Sequence, residues 1–168
     1  MNGFTFSAAA EKEIEETISR YPTKRAALLP VLWIAHRQND RNHLDADAIR
    51  AVAQRLELSE AFVGGVVSFY TMYNRRPIGR YHLQVCRTLS CALSGCDKLL
   101  DHLKSQLEID VGQTTTDQMF TLSTVECLAS CGTGPMMQVN DDFYEKLTTE
   151  QVDQLLSELR RRGANIRG

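Results

Sequence analysis

The chain carries two closely spaced cysteine pairs: Cys86 with Cys91, in the run Cys86-Arg87-Thr88-Leu89-Ser90-Cys91, and Cys127 with Cys131, in Cys127-Leu128-Ala129-Ser130-Cys131. A fold that uses all four thiols at one place must bring two loops, separated by residues 92–126, to the same end of a scaffold. Within each pair the short interval lets the chain turn back so that both sulfurs face one point. Small residues crowd the same segments: Ser90, Ala92, Ser94 and Gly95 near the first pair, Ala129, Ser130, Gly132 and Gly134 near the second. Such residues allow backbone amides to approach sulfur closely, and those hydrogen bonds tune a bound metal centre.

Three readings of the four thiols stand side by side on spacing alone. Four thiolates can hold a [2Fe–2S] cluster, two sulfurs to each iron, because sulfur is soft and polarizable. A structural four-cysteine zinc site is a second reading, although zinc favours tighter Cys-x-x-Cys knuckles. A pair of disulfides is the third. The amino terminus, acidic and without a basic stretch leading into an apolar one, does not read as a secretory signal. The cytoplasm is therefore expected, where structural disulfides are rare. The spacing differs from the plant-type ferredoxin pattern, in which three cysteines cluster and the fourth is remote. Cys96, the fifth cysteine, falls at the start of a predicted helix and reads as a small core residue. The histidines at 36, 43, 82 and 102 show no ligand spacing.

Composition removes several function classes. A formal net charge of −2 gives no general attraction to nucleic acid. No apolar run approaches the ~20 residues that span a bilayer, so direct membrane insertion is not expected. There is no Gly-x-Gly-x-x-Gly fingerprint, and the Gly64-Gly65 pair lies in a helical pattern where close helix packing is the expected role. No site for NADH, flavin or quinone is therefore read in this chain.

The hydrophobic period changes once, near Pro77. Before it, four helices are predicted. Ser7 caps one ending near Arg20 and Pro22; a second carries Leu28, Leu29, Leu32 and Trp33 with Pro30 near its start. Asp45 caps a third and Ser59 a fourth. Trp33, Phe62, Phe69 and Tyr70 are expected mostly inside, with a minority on a partner-facing surface. After Asn74-Arg75-Arg76-Pro77, which reads as a linker, the alternation of Tyr81, Leu83 and Val85 predicts a strand running into Cys86. Leu99, Leu103 and Leu107 predict a helix, and Phe120 to Val125 a second strand that delivers Cys127. Two short strands around Asn140-Asp141-Asp142 form a hairpin. Thr148 and Gln151 have capping-box spacing before a last helix, with Gly163 just past its end. The expected fold is α+β: an N-terminal helical bundle over residues 1–77, then a thioredoxin-like domain over 78–168 whose β-α-β-β-α order places each cysteine pair just after a strand.

At these residues the chain resembles a known family, the 24-kDa-type component of respiratory complex I, known in bacteria as the E subunit of NADH:quinone oxidoreductase. Its relatives serve NAD-linked hydrogenases, some electron-bifurcating, and formate dehydrogenases. The likeness is carried by Ser68-Phe69-Tyr70-Thr71-Met72-Tyr73, Pro77-Ile78-Gly79-Arg80, the strand into Cys86 with the two-pair spacing, Gly112-Gln113-Thr114-Thr115, Phe120-Thr121-Leu122 and Gly134-Pro135. The resemblance implies one [2Fe–2S] cluster held by Cys86, Cys91, Cys127 and Cys131 in a thioredoxin-like ferredoxin domain. It implies NADH and FMN on a partner flavoprotein, within a larger assembly whose peripheral arm lies on the cytoplasmic side of the inner membrane. Two positions depart from the family's habit. Ala129 stands where glycine is frequent, and Arg87 where threonine or another small residue is common.

Overall fold

A computed structural model of the protein describes residues 3–39 and 41–164. The outer ends of both expected domains, residues 1–2 and 165–168, lie outside the described residues. The chain divides into two compact units, Met1–Pro77 and Ile78–Gly168.

The first unit is helical: α1 (Ala8–Ser19), α2 (Leu28–Gln38), α3 (Ala46–Leu56) and α4 (Glu60–Phe69). Three of these begin where a side-chain oxygen can accept an otherwise unpaired amide. Ser7 accepts from the Ala10 N–H at 3.2 Å, Asp45 from Ala48 at 2.8 Å and Ser59 from Phe62 at 3.3 Å; each such cap contributes about 1 kcal/mol. Pro30 sits in the first turn of α2, where the missing N–H has no intrahelical acceptor to lose. Ile14, Val31, Leu32, Leu44, Val52, Leu56 and Val63 fill the core. Arg55 of α3 ties α1 down through Glu11, at 2.9 Å, and Glu15. Those two hydrogen bonds raise the pKa of its guanidinium further above an already high value.

One expectation fails in this unit. Gly64 and Gly65 make no close helix contact: a Cβ at either would meet nothing within 4 Å. Of the four aromatic residues expected mostly inside, Phe69, the last residue of α4, is the exposed one, at 78%. Trp33, Phe62 and Tyr70 pack against the core as partly buried residues.

The second unit is a four-stranded sheet, β1 (Tyr81–Cys86), β2 (Phe120–Val125), β3 (Met137–Val139) and β4 (Asp142–Tyr144), in the order β2-β1-β3-β4. β1 and β2 are parallel, with Tyr81 opposite Phe120 and Cys86 opposite Val125; β3 runs antiparallel to β1, and β4 to β3. A parallel pair needs a crossover, which here contains α5 (Leu89–Leu93) and α6 (Cys96–Leu107). Leu99, Leu103 and Leu107 of α6 share one core with Leu83, Val85, Phe120 and Leu122 of the strands and with Val152, Leu155, Leu156 and Leu159 of α7 (Thr149–Ala164). The α7 capping box forms as expected: Thr148 Oγ1 accepts from the Gln151 N–H at 3.3 Å, while Gln151 Oε1 accepts from the Thr148 N–H at 2.9 Å.

The family-like motifs acquire physical reasons here. Gly79 lies so close to β2 that a Cβ would stand 2.7 Å from the Phe120 carbonyl carbon and 2.9 Å from the Thr121 nitrogen. Its N–H donates to the buried Thr121 hydroxyl at 2.6 Å. The Gly112–Thr115 segment folds back along β2, with the Gly112 N–H on the Leu122 carbonyl and the Thr115 N–H on that of Phe120. Gly163 does not follow α7 but lies inside it. A Cβ there would come within 2.2 Å of Met119 Cε, the tip of a flexible side chain, and the Gly163 carbonyl accepts from Arg80 at 3.0 Å.

Two outcomes follow. Gly79→Ala forces backbone apart at the start of the sheet and should lower stability by about 2–3 kcal/mol, read as a fall in the urea midpoint of the full chain. His82, whose ring meets the Ser123 hydroxyl at 2.7 Å, is held by burial at a pKa of about 4. Its folded pKa lies below the unfolded one, so the unfolded state binds the proton more readily. Stability should fall as pH drops from about 6.5 towards 4, by up to about 3 kcal/mol. The same pH series on His82→Gln should show a flatter decline.

Candidate functional site: four thiols at the end of the parallel strand pair

The site grows out of the β1–β2 register. Cys86 is the last residue of β1, and Val125, its partner, lies two residues before Cys127. The Arg87 N–H continues the ladder onto the Val125 carbonyl at 3.1 Å. Both strands run the same way, so both following loops emerge at one end of the sheet. The first loop winds into α5, a helix of five residues around Cys91, too short for sequence periodicity to reveal. Cys91 sits on it, beneath Leu89 and Leu93, which are 75% and 81% exposed. The second loop passes through Ala129 to a 3-10 turn at Cys131–Thr133, which packs by α5.

The structure brings the four thiols into one neighbourhood as two unlike pairs. Cys86 and Cys91 are buried, at 2% exposure each, while Cys127 and Cys131 are exposed. Cys127 and Cys131 stand with their sulfurs 3.5 Å apart. Gly134, joined to Pro135 by a cis peptide, backs the first pair: a Cβ on it would lie 3.4 Å from Cys91 Sγ and 3.3 Å from Ser94 Oγ.

Each pair divides into one sulfur that favours the thiolate and one that favours the thiol, because two adjacent negative charges oppose each other. Burial works against the Cys86 thiolate, yet hydrogen bonds from the Thr88 hydroxyl and amide, the Leu128 amide and Cys91 outweigh it and lower its pKa. Cys91 is pushed up to about 11 by burial, by donating to Cys86 and by the charge on Cys86, against an opposing bond from the Met136 amide. Cys127 is lowered by the Ala129 amide, at 3.3 Å, and by Cys131. Cys131 is raised by its bond to Cys127 and by the charge there. The loops are also laced across each other. Leu128, from the second loop, serves Cys86; Thr88 and Ser90, from the first, serve Cys127 and Cys131.

This donor set fits an iron–sulfur centre. All four groups are thiols; Cys96, the first residue of α6, is a fifth buried thiol in the same core as Cys86 and Cys91, its pKa raised by burial, by Asp97 and by the charge on Cys86. Two thiolates bound at about 2.3 Å to one tetrahedral metal lie about 3.7 Å from each other, close to the 3.5 Å between Cys127 and Cys131. Among the described residues no group of three or more His, Cys, Asp or Glu side chains is placed to hold a metal ion.

The sequence profile of the thioredoxin-like [2Fe-2S] ferredoxins matches residues 14–160. The chain belongs to that family. Among relatives of this ferredoxin, the E 2 subunit of NADH-quinone oxidoreductase from Rhizobium meliloti (strain 1021) is 44% identical over 149 residues, 89% of this chain and 88% of the relative. The E subunit of NADH-quinone oxidoreductase from Rickettsia felis is 42% identical over 157 residues, covering 92% and 93%. In three dimensions the ferredoxin is similar to a chain of an NAD+-reducing [NiFe]-hydrogenase, with a TM-score of 0.71 at 22% identity, over 80% of this chain and 23% of that one. That likeness shows the fold.

Two departures from the family's habit now have a setting. Ala129 adopts φ of +62°, the left-handed region, in the turn that directs its amide at Cys127. A methyl group there costs about 1 kcal/mol against glycine. Arg87 is exposed. Ala129→Gly should therefore raise the urea midpoint of the full chain by an amount equivalent to about 1 kcal/mol, with iron and sulfide content unchanged.

Proposed function

We propose that this protein is the electron-transfer subunit that carries one [2Fe–2S] cluster beside the NADH- and FMN-binding flavoprotein of an NADH:quinone oxidoreductase, with Cys86, Cys91, Cys127 and Cys131 as the cluster ligands. The observation that carries the reading is the interlaced thiol site. Two cysteine pairs from two loops share hydrogen-bond donors at the end of one parallel strand pair, in a chain more than 40% identical to E subunits of NADH-quinone oxidoreductases along most of its length.

When bound, the cluster supplies one-electron chemistry, which hydride donors lack and a flavin can bridge. The chain's own residues do the rest. The buried pair fixes one side of the site in the core, while the exposed pair leaves the other side open to a partner. The amides of Leu128, Ala129 and Met136 and the hydroxyls of Thr88 and Ser90 point positive hydrogens at sulfur, which compensates the negative charge gathered there. Exposed Leu89 and Leu93 on the helix that carries Cys91 suit a face that another chain covers.

In this reading residues 1–77 form a helical domain that secures the protein to the assembly, and residues 78–168 form the cluster domain. Among the described residues no helix is long and apolar enough to cross a membrane. Attachment would run through other subunits, in a peripheral arm on the cytoplasmic side. The equivalent position in an NAD-reducing hydrogenase is the second reading, since a chain of such an enzyme shares the fold; the chains that co-purify with the native protein separate the two.

Metal analysis tests the site directly. The expected result is two irons and two acid-labile sulfides per chain, with a paramagnetic signal on one-electron reduction. One zinc per chain, without iron or sulfide, would mean a structural site and end the electron-transfer reading. Cys127→Ser should lose or alter the cluster, whereas Cys96→Ala should keep it at a stability cost of about 1–2 kcal/mol; cluster loss in Cys96→Ala would show the ligand set to be wrong.

A further inference from the structure

Thr88 occupies the N-cap position of α5 with the extended backbone usual there, φ −75° and ψ 169°, yet its side chain makes no capping hydrogen bond. A threonine hydroxyl in that position ordinarily accepts an amide from the first turn. Here it turns to sulfur instead. Its Oγ1 lies 3.4 Å from Cys86 Sγ. The backbone amide of Thr88 also serves Cys86, so the residue is held against the site at two points.

We infer that the Thr88 hydroxyl is a positioning and potential-setting group of the cluster site, a donor to the Cys86 sulfur that favours the reduced, more negative state. This rests on the ligand assignment proposed above. The physical argument concerns charge. Reduction adds one electron to a centre ringed by thiolates, and a donor to one of the sulfurs strengthens as its negative charge grows. Only the part of that hydrogen bond that differs between the two oxidation states moves the potential. The expected shift is about tenfold in the reduction equilibrium, about 59 mV for one electron.

The test uses the full chain loaded with its cluster. Thr88→Val keeps the shape and removes the hydroxyl; Thr88→Ser keeps the hydroxyl. Iron and sulfide content is measured first, and the potential by redox titration of the reduced-state resonance. Expected is a full cluster in Thr88→Val with its reduction equilibrium shifted about tenfold towards the oxidised state, and recovery of at least half of that shift in Thr88→Ser. A fully loaded Thr88→Val within about twofold of the parent would overturn the inference, and so would a Thr88→Ser variant no better than valine. If valine prevents cluster uptake, Thr88→Ala is read by the same criterion. If neither is loaded while Thr88→Ser is, the hydroxyl is required to position Cys86, as inferred; no loading in Thr88→Ser either would overturn it. Failure of the ligand assignment shows separately, as an unaltered cluster in Cys127→Ser.

Discussion

The parallel pairing of β1 with β2 is the constraint on which the second unit depends. Antiparallel neighbours would send the two loops to opposite ends of the sheet. The observed register, Cys86 opposite Val125, sends both in one direction and starts them level. The cost of that arrangement is a crossover, met by α6, whose leucines cover the strands. The glycine at position 79 and the fold-back of Gly112–Thr115 belong to the same constraint. One lets the entering chain lie against β2, and the other occupies the free edge of that strand.

Gathering four thiols next to one another is electrostatically unfavourable, and the structure answers this with directed donors. Within each pair the proton preference divides, Cys86 and Cys127 towards thiolate, Cys91 and Cys131 towards thiol. The leading donors come from each sulfur's own loop, Thr88 on Cys86 and the Ala129 amide on Cys127, while the Leu128 amide and the Ser90 hydroxyl reach across and help hold the loops together. One of them requires Ala129 to take a left-handed conformation, a local strain placed where an amide must face sulfur. A bound cation between the sulfurs removes the repulsion, so folding of this end and loading of the centre are coupled.

Much of this was legible in the residues. Ser7, Asp45, Ser59 and the Thr148/Gln151 box announced helix starts because capping is local chemistry, settled by three or four consecutive residues. The strands into Cys86 and Cys127 were legible because alternation over a half-buried sheet is also local. Less legible were features that depend on what a residue meets across the fold. Gly163 reads as following the last helix, yet it lies within α7, beside Met119. Gly64 and Gly65 read as packing glycines, yet a Cβ at either would meet nothing within 4 Å. That Phe69 would be the exposed aromatic depends on where α4 ends. The short α5 has only five residues, too few to show a period.

The sequence by itself determined the elements, their order, and the chemistry available: four thiols in two pairs, each placed just beyond a strand, with small and hydroxyl residues between them. Those properties are local, since they depend on propensity, period and spacing along the chain. Only the tertiary structure decided that one pair is buried and the other exposed, that Leu128 serves the first pair while Thr88 and Ser90 serve the second, and that the Thr88 hydroxyl leaves its cap for sulfur. Those are relations between residues distant in sequence, and distance along the chain carries no information about which amide will point at which sulfur until the strands have paired.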